Sequence, residues 1–321
     1  MRFVVFGAGA IGGVLGARLH QAGEEVVLIA RGAHGEAIAR DGLRLETPEE
    51  VSVLRIPVVE DPAAVSWRED DVVLLATKTQ DTASALGALA AVAAERVPVV
   101  CVQNGVENER MALRLFPNVY GALVMAPTAH LEPGVVQAYS VPLSGGIDVG
   151  RYPEGLDETA ERVVAALSQA RFGSVARPRI MRWKYAKLLM NLGNVVQALL
   201  GSDADDEELD ALAREEGEAV FRAAGIDFAS DEEDAQRRRG LLTLGEIAGH
   251  GRGGGSTWQS FVRGASSIET DYLNGEVVLL GRRHGVPTPV NELLCRLARK
   301  ALREGARPGD MAPEEILARL R

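Results

Sequence analysis

A glycine-rich turn near the start of the chain has the spacing of a phosphate-binding loop. It is a GxGxxG motif, Gly7-Ala8-Gly9-Ala10-Ile11-Gly12. In this pattern Gly7 permits the tight turn, Gly9 lets a pyrophosphate approach the backbone, and Gly12 lets helix and strand pack closely. The helix start at Ala10 and Ile11 adds the positive end of a helix dipole. Because strand-like runs precede and follow the motif at the right distance, we predict a dinucleotide site.

The end of the second predicted strand indicates which dinucleotide would bind. Sites for NAD place a carboxylate there, about 20 residues after the glycines, to accept a hydrogen bond from the ribose 2′-hydroxyl. This chain has Arg31 at that point and no acid before Glu36. A guanidinium can pair with a 2′-phosphate that no carboxylate repels. The sequence therefore favours NADP(H), and the alternative is a solvated arginine at a strand end.

Two more polar residues follow apolar strands of the first half. Lys78 comes after the run 71–77, and Asn104 comes shortly after the run 98–102. Ligands of an open parallel sheet bind beyond the carboxyl ends of its strands, so both side chains are expected near the dinucleotide. The alternatives are a merely solvated lysine and a simple Asn-Gly turn.

The second half contains a polar stripe within an apolar stretch. Lys187, Asn191 and Asn194 are spaced i, i+4 and i+7, which places them on one face of a helix. Such a stripe must be paired internally or face a wet cleft. A buried lysine needs a carboxylate, and Glu269 is a candidate. A structural Lys–Glu pair with two capping asparagines remains the alternative to a functional site.

The elements that would position these residues change character along the chain. In the first half, short β-branched runs at 3–6, 25–29, 71–77 and 98–102 alternate with helical segments, as in a parallel sheet covered by helices. After Pro178 we find no convincing strand. The helical patterns there lie at about 180–200, 206–224, 232–248, 257–283 and 290–304.

This change predicts an α/β protein of two domains. An N-terminal, Rossmann-type, doubly wound sheet would occupy residues 1–177 and bind NADP. An all-α C-terminal domain would occupy residues 178–321 and carry the substrate and catalytic groups.

Composition excludes several classes of protein. Lys plus Arg is 35 and Asp plus Glu is 45, a net charge of −10 that disfavours nucleic-acid binding. No stretch reaches the ~18 apolar residues of a membrane helix. The 5 histidines are scattered without metal-ligand spacing. Cys101 and Cys295 lie far apart in apolar stretches, which indicates buried thiols in a reducing compartment. We expect a cytoplasmic protein with no bound metal and no membrane or nucleic-acid partner.

Five segments of the chain together fit one known family. They are the N-terminal GAGAIG, the Lys78 and Gln103-Asn104-Gly105 loops, the Trp183…Lys187…Asn191 helix and Glu269-x-Asp271-Tyr272-x-Asn274-Gly275. Over nearly its whole length the chain resembles ketopantoate reductase (2-dehydropantoate 2-reductase). The glycine motif is shared by many dehydrogenases, whereas the last two segments are specific to this family.

The resemblance implies an NADPH-dependent reductase of a small branched 2-oxo acid, with 2-dehydropantoate reduced to pantoate for pantothenate biosynthesis. NADPH would lie along the glycine loop, with its nicotinamide in a cleft between the domains. Hydride would move from C4 of NADPH to the keto carbon, and Lys187 would be the general acid. Glu269 would orient that lysine or contact the substrate. The other implied contacts are Asn104 near the carbonyl and nicotinamide, Asn191 on the substrate, and Ser256 or Thr257 on its carboxylate.

The chain departs from the family pattern around the substrate pocket. The family's second substrate asparagine, eight residues after the catalytic lysine, falls on Val195 here, and Asn194 is one position away. A glycine-rich segment without an assigned role, Gly249–Gly255, precedes the Ser-Thr pair. Both departures concern the identity of the substrate rather than the chemistry.

The spacing of Thr257 and Glu269 adds a geometric conflict. They are twelve residues apart, so a straight helix would separate them by about 18 Å, and both could not touch one small acid. Either the helix breaks, with Gly264 the obvious place, or one of the two acts indirectly.

Two other functions remain open on the sequence alone. The same hydride chemistry could act on a different 2-oxo acid. A non-catalytic NADP-binding sensor would have the glycine motif but would leave Lys187, Asn191 and Glu269 without a task. A homodimer is expected only because dimers are the commonest assembly.

Overall fold

The computed structural model of the chain describes residues 1–201, 207–249, 251, 253–264 and 267–320. Strands and helices alternate in the first half, and helices follow in the second. The strands are β1 (Arg2–Phe6), β2 (Glu25–Ile29), β3 (Leu43–Glu46), β4 (Val51–Leu54), β5 (Val58–Val59), β6 (Asp71–Leu75), β7 (Val99–Cys101), β8 (Val119–Met125), β9 (Thr128–Ala129), β10 (Val135–Ala138), β11 (Gly145–Arg151) and β12 (Phe172–Gly173).

The helices agree with most of the predicted segments. They are α1 (Ala10–Gln21), α2 (Gly32–Asp41), α3 (Thr79–Ala90), α4 (Asn108–Leu113), α5 (Glu158–Gln169), α6 (Ile180–Asn191), α7 (Asn194–Leu200), α8 (Glu207–Ala223), α9 (Asp231–Arg238), α10 (Ser256–Val262), α11 (Asn274–His284), α12 (Pro289–Glu304) and α13 (Pro313–Leu317). Short 3-10 helices lie at Pro62–Ala64 and Glu269–Tyr272. Among the described residues, no helix is long and apolar enough to cross a bilayer.

An eight-stranded sheet in the order β12-β11-β8-β7-β6-β1-β2-β5 forms the centre of the first half. Strand β1 lies parallel to both of its neighbours, and its Val4 is paired with Val27 of β2 and Val73 of β6. All residues of β1 and β6 are buried, as expected where helices cover both faces. Strand β11 runs antiparallel to β8, so the sheet is mixed. The predicted α/β class, with an N-terminal sheet and a helical C-terminal region, is confirmed.

A second sheet, in the order β4-β3-β10-β9, packs against the opposite side of α1. Two glycines of α1 make this sandwich possible. A Cβ atom on Gly16 would lie 2.6 Å from Leu28 Cδ2 of β2, and one on Gly13 would lie 2.6 Å from Val136 Cγ1 of β10. Part of the glycine content near the N-terminus therefore serves helix packing between two sheets.

His34 joins the loop after β1 to the turn before β10. Its Nε2 lies 2.8 Å from the Ala8 carbonyl oxygen, and its Nδ1 accepts a hydrogen bond of 2.8 Å from the Gly134 N–H. Because Nδ1 is an acceptor, the proton of the neutral ring belongs on Nε2, which donates to Ala8. The ring also packs against His130, with centroids 4.0 Å apart and the ring planes tilted by 46°. Burial lowers the pKa of His34, in agreement with a neutral ring.

The backbone divides into two compact units that differ from the predicted domains. Unit 1 comprises Met1–Lys184 and Ser230–Arg252, and unit 2 comprises Tyr185–Ala229 and Gly253–Arg321. The division after the first unit thus lies at residue 184 rather than at 177. The segment 230–252, which we had assigned to the helical domain, belongs to the first unit.

Buried charges hold the segment 230–252 in unit 1. Asp148 of β11 is fully buried, and its carboxylate accepts hydrogen bonds from the guanidinium groups of Arg237 (2.8 Å from Nε, with a second bond from Nη2) and Arg177 (3.0 Å). Arg237 also donates to the Gly173 carbonyl at 2.6 Å. A buried carboxylate requires such partners, and one of them is supplied by α9.

Some helical predictions beyond residue 200 were wrong in extent. The predicted helix 232–248 ends at Arg238, and Leu244 instead forms an isolated antiparallel bridge with Ser140 of unit 1. The predicted helix 257–283 is interrupted after Val262, where Gly264 adopts φ +62°. A left-handed residue cannot continue an α-helix. Of the predicted helix 206–224, residue 206 lies outside the described residues, and the remainder agrees with α8.

Buried polar groups connect the helices of unit 2. The Glu216 carboxylate of α8 accepts hydrogen bonds from the backbone N–H groups of Val290 (2.8 Å) and Asn291 (3.0 Å), which are otherwise unpaired donors at the start of α12. The Asn291 amide donates in turn to the Ala213 carbonyl at 3.0 Å. The apolar core beside this network includes Val220, Phe221, Val277 and Leu294.

Both cysteines are free and buried, as predicted. Burial raises the pKa of Cys295 to about 12 and also raises that of Cys101. Neither thiol is therefore a ready nucleophile or metal ligand at neutral pH.

We expect Asp148→Asn to destabilise the protein strongly. The change leaves the partly buried guanidinium groups of Arg177 and Arg237 without the fully buried counter-charge of Asp148, and breaking a buried pair costs about 3–5 kcal/mol. Urea unfolding followed by circular dichroism measures the loss. Asp41→Asn, at an exposed ion pair with Arg40, is the matched control and should not change the midpoint. Equal midpoints for the two variants would contradict the role of Asp148.

The stability of the protein should fall below about pH 6.5 in part because of His34. Its pKa in the folded state lies below the ordinary value of 6.5, so the unfolded chain binds the proton more readily. The stabilisation from neutral His34 is complete above 6.5, begins to be lost below that value, and is lost fully as the pH falls through the lower pKa of the folded state. Urea midpoints at pH 7.5 and 5.5 should therefore differ less for His34→Gln than for the wild type. His284→Gln, at an exposed histidine, should keep the full difference.

Candidate active site

The glycine turn after β1 has the geometry that the sequence predicts. Gly7 adopts φ +100°, and a Cβ atom on Gly12 would lie only 2.0 Å from the Gly7 carbonyl oxygen. A Cβ atom on Gly9, by contrast, would meet nothing within 4 Å. The backbone conformation of the turn and its close packing on the helix therefore require Gly7 and Gly12. Gly9 instead leaves open space beside the N-terminus of α1, which begins at Ala10 and continues with Ile11. The chain therefore offers a cradle that fits a pyrophosphate.

Arg31 lies at the carboxyl end of β2, immediately beside this turn. The Gly7 N–H donates to the carbonyl oxygen of Ile29, the last residue of β2, at 3.0 Å. Arg31 follows two residues later as the exposed N-cap residue of α2. No carboxylate occupies the strand end, because residues 30 and 32–35 are Ala, Gly, Ala, His and Gly. The position suits an anionic group on the ribose of a bound dinucleotide.

Lys78 and Asn104 occur at the carboxyl ends of the adjacent strands β6 and β7. Lys78 is the N-cap residue of α3, and Asn104 precedes α4. Because β6 lies directly beside β1, both loops belong to the same edge of the sheet as the glycine turn. Unit 1 thus brings together the predicted residues of the dinucleotide site.

A network of side-chain amides and hydroxyls holds these two loops. The Gln103 amide donates to the Thr77 carbonyl and to the Thr82 hydroxyl, both at 2.7 Å. That hydroxyl donates to the Asn108 side-chain oxygen at 2.8 Å, and the Asn108 amide donates to the Asn104 carbonyl at 3.0 Å. The sequence did not reveal this network, because the bonds that join its two loops connect residues 21 to 26 positions apart along the chain.

In unit 2 the predicted polar stripe lies on two helices rather than one. Lys187 and Asn191 belong to α6, whereas Asn194 begins α7. Gly193 at the break is in close contact with α8, since a Cβ atom there would lie 2.3 Å from Asp210 Oδ2. Asn191 is buried, and its Nδ2 has no hydrogen-bond partner among the described residues. A buried amide of this kind is a donor available to a ligand.

The glycine-rich segment before Ser256 approaches the start of α7. The Gly255 N–H donates to Gln197 Oε1 at 2.7 Å, and a Cβ atom on Gly255 would lie 3.0 Å from Asn194 Oδ1. One on Gly254 would lie 2.4 Å from Trp258 Cγ. Close packing therefore accounts for Gly254 and Gly255. Two other members of the cluster, His250 and Arg252, lie outside the described residues.

Ser256 and Thr257 are consequently near Asn194, because they directly follow Gly255 at the start of α10. Glu269 belongs to a separate 3-10 helix, which begins beyond Gly264. The helix break that we considered is confirmed, so the distance of a straight helix does not separate Thr257 from Glu269.

Asn274 of the predicted Glu-x-Asp-Tyr-x-Asn-Gly motif is a connecting residue of unit 2. Its amide donates to the Leu192 carbonyl and to the Asn291 side-chain oxygen, both at 3.0 Å. Leu192 lies in the break between α6 and α7. The motif therefore fixes the end of the helix that carries Lys187 and Asn191, a role that the spacing in the sequence did not indicate.

The comparisons with known proteins agree along most of the chain. Residues 3–154 match the family described as ketopantoate reductase PanE/ApbA, and residues 179–302 match its C-terminal family. The 2-dehydropantoate 2-reductase of Pyrococcus horikoshii is 28% identical over 93% of this chain and 97% of its own length.

Solved structures also match this chain over most of its length. The PanE/ApbA family ketopantoate reductase from Ralstonia eutropha JMP134 is 31% identical, with a TM-score of 0.78 over 95% of this chain and 99% of its own. D-mandelate dehydrogenase with NADH and anilino(oxo)acetate has a TM-score of 0.79 over 95% of this chain and 99% of its own. That protein is only 22% identical and shares the fold alone.

The two family models follow one another along this chain, and the glycine turn lies within the first matched range and α6 within the second. The chain belongs to the ketopantoate reductase family, whose members are NAD(P)-dependent reductases, and it is an oxidoreductase that acts on a CH–OH group.

Proposed function

We propose that this protein is an NADPH-dependent 2-dehydropantoate 2-reductase, in which unit 1 holds the dinucleotide and unit 2 supplies the acid and the substrate contacts. The observation that carries the proposal is the arrangement on α6, where Lys187 lies one turn from the buried, unpaired amide of Asn191. Full-length relatives with this activity support the choice of substrate.

Unit 1 would bind the dinucleotide through backbone and cationic groups. The turn Gly7–Gly12 and the start of α1 would receive the pyrophosphate, and Arg31 would pair with the 2′-phosphate. Lys78 and Asn104 would contact the remainder of the cofactor, with Asn104 near the nicotinamide. When bound, NADPH supplies a hydride from its C4 atom. These few local cations would let a protein of net charge −10 bind an anionic cofactor.

Lys187 would donate a proton to the oxygen of the reacting carbonyl. Its ammonium would also stabilise the negative charge that develops there before the proton moves. Glu269 would favour the charged form of the lysine, because a nearby carboxylate opposes the effect of desolvation.

The substrate would be held by the polar groups around the break between α6 and α7. Asn191 offers an unpaired amide N–H, and Asn194 offers a second amide beside the start of α10. Ser256 or Thr257 would bind the carboxylate of the acid.

Val195 favours a second candidate, the same reduction on a different 2-oxo acid. This apolar residue replaces the family's second substrate asparagine, which changes the hydrogen bonds available to the substrate. Oxidation of NADPH at 340 nm with ketopantoate and a panel of other 2-oxo acids separates the two candidates. A preference for ketopantoate supports the proposal, and a preference for another acid supports the alternative. Tight NADPH binding without turnover of any acid would instead indicate a sensor.

We expect Arg31→Ala to remove the preference for NADPH over NADH. A charge-assisted hydrogen bond to the 2′-phosphate contributes about 1.5–3 kcal/mol, so KM for NADPH should rise roughly ten- to a hundredfold. KM for NADH should stay unchanged, because NADH lacks that phosphate. Arg40→Ala, at an exposed arginine of α2, serves as the control. An unchanged NADPH-to-NADH ratio in Arg31→Ala would show that other residues select the cofactor.

We expect Lys187→Ala to lower kcat by about 10²–10⁴ while NADPH still binds, because general acid catalysis contributes a factor of that size. Steady-state rates and a fluorescence titration with NADPH measure the two quantities. Lys300→Ala, at an exposed lysine of α12, should leave both unchanged. Near-normal turnover in Lys187→Ala would exclude this lysine as the acid.

A further inference from the structure

A second lysine of α6 is buried in unit 1 and is not used in the chemistry proposed above. Lys184 is 3% exposed, and its ammonium donates to the carboxylate of Glu109, which is fully buried on α4. The same ammonium donates to the backbone carbonyl of Gln103 at 3.0 Å. Lys184 therefore links α6 to the loop that follows β7.

The Gln103 carbonyl is one end of the peptide that leads into Asn104. The other side of Asn104 is also held, since its own carbonyl accepts from the Asn108 amide at 3.0 Å. Gln103, through its side chain, holds the Thr77 carbonyl, immediately before Lys78, at 2.7 Å. The buried cation thus anchors the backbone of one loop directly, and the Gln103 side chain holds the backbone of the other loop that we assign to the cofactor.

The surroundings of this ion pair are specialised to receive it. Gly121 of β8 lies against it, and a Cβ atom there would be 3.3 Å from Glu109 Oε1 and 3.5 Å from Lys184 Cδ. Burial raises the pKa of Glu109, which reflects the cost of keeping its charge away from water. Apolar side chains of similar volume often give equal or greater stability than a buried ion pair. Such apolar side chains could not donate the hydrogen bond that the Lys184 ammonium makes to the Gln103 carbonyl.

We propose that Lys184 is a positioning residue for the dinucleotide, which fixes the backbone from Gln103 to Asn104 so that the Asn104 side chain meets the cofactor. The inference rests on the proposed function in so far as it assigns Asn104 to the cofactor. Lys184 itself touches neither cofactor nor substrate in this scheme. It acts through a main-chain carbonyl and the amide network behind it.

The test separates loop positioning from simple stability. Lys184→Met alone leaves the carboxylate of Glu109 buried without a counter-charge and should lower the urea midpoint. The double variant Lys184→Met/Glu109→Gln removes both charges and should recover that midpoint. Its Kd for NADPH, measured by fluorescence titration, should nevertheless remain roughly tenfold above the wild-type value, because the Gln103 carbonyl has lost its donor. A double variant with wild-type Kd and kcat would reduce Lys184 to a structural residue and overturn the proposal.

A second variant tests the network without touching the ion pair. Thr82→Val is nearly isosteric and removes the hydroxyl between Gln103 and Asn108. NADPH affinity should fall in the same direction as in the double variant, and an unchanged affinity would count against positioning by this network. If the wild-type protein bound neither NADPH nor NADP, the proposed cofactor and this inference would fail together. If the wild type binds NADPH but the variants keep the wild-type affinity for it, the inference about Lys184 fails and the proposed cofactor stands.

Discussion

The close approach of α1 to the end of β1 is the constraint on which unit 1 depends. A Cβ atom on Gly12 would lie 2.0 Å from the Gly7 carbonyl oxygen, so no larger residue fits without moving the helix. This contact sets the angle at which α1 crosses the sheet and allows a second sheet to pack on its other side through Gly13. It also directs the N-terminus of α1 toward the strand ends where Arg31, Lys78 and Asn104 lie. The anion-binding geometry is therefore a consequence of how tightly strand and helix pack.

Unit 2 has no sheet among its described residues, and buried polar groups connect its helices. Glu216, Asn274 and Asn291 are joined by hydrogen bonds to one another and to free backbone groups at helix ends. Their net effect on stability is modest, because each bond replaces bonds to water, but an unpaired member would cost about 1–3 kcal/mol. The hydrogen bond from Asn274 to the Leu192 carbonyl holds the break between α6 and α7. The network thus decides the positions of Asn191 and Asn194.

The sequence predicted the central strands well and the long-range polar contacts poorly. Strands such as β2 and β6 consist of one acidic residue followed by an unbroken apolar run, and that pattern is local. The predicted helix 232–248 was wrong in its second part, where backbone bonds to the loop after β10, such as the one from the Val141 N–H to the Thr243 carbonyl, replace helical ones. The sequence did not indicate the structural role of His34, because its hydrogen-bond partner Gly134 is 100 residues away along the chain. The sequence did not indicate a role for Lys184, because its partner Glu109 is 75 residues away along the chain.

The sequence by itself determined the α/β class, the glycine turn, the absence of an acid at the end of β2, and the motifs that identify the family. These features are local, because strand, turn and helix preferences depend on neighbours within a few residues. Only the tertiary structure decided that residues 230–252 pack with the first unit, that α6 and α7 are separate helices, and that a buried Lys–Glu pair supports the Asn104 loop. The reason is that buried charged and amide groups form hydrogen bonds with residues that are distant along the chain and close only in the fold. The spacing of residues in the sequence does not specify these partners.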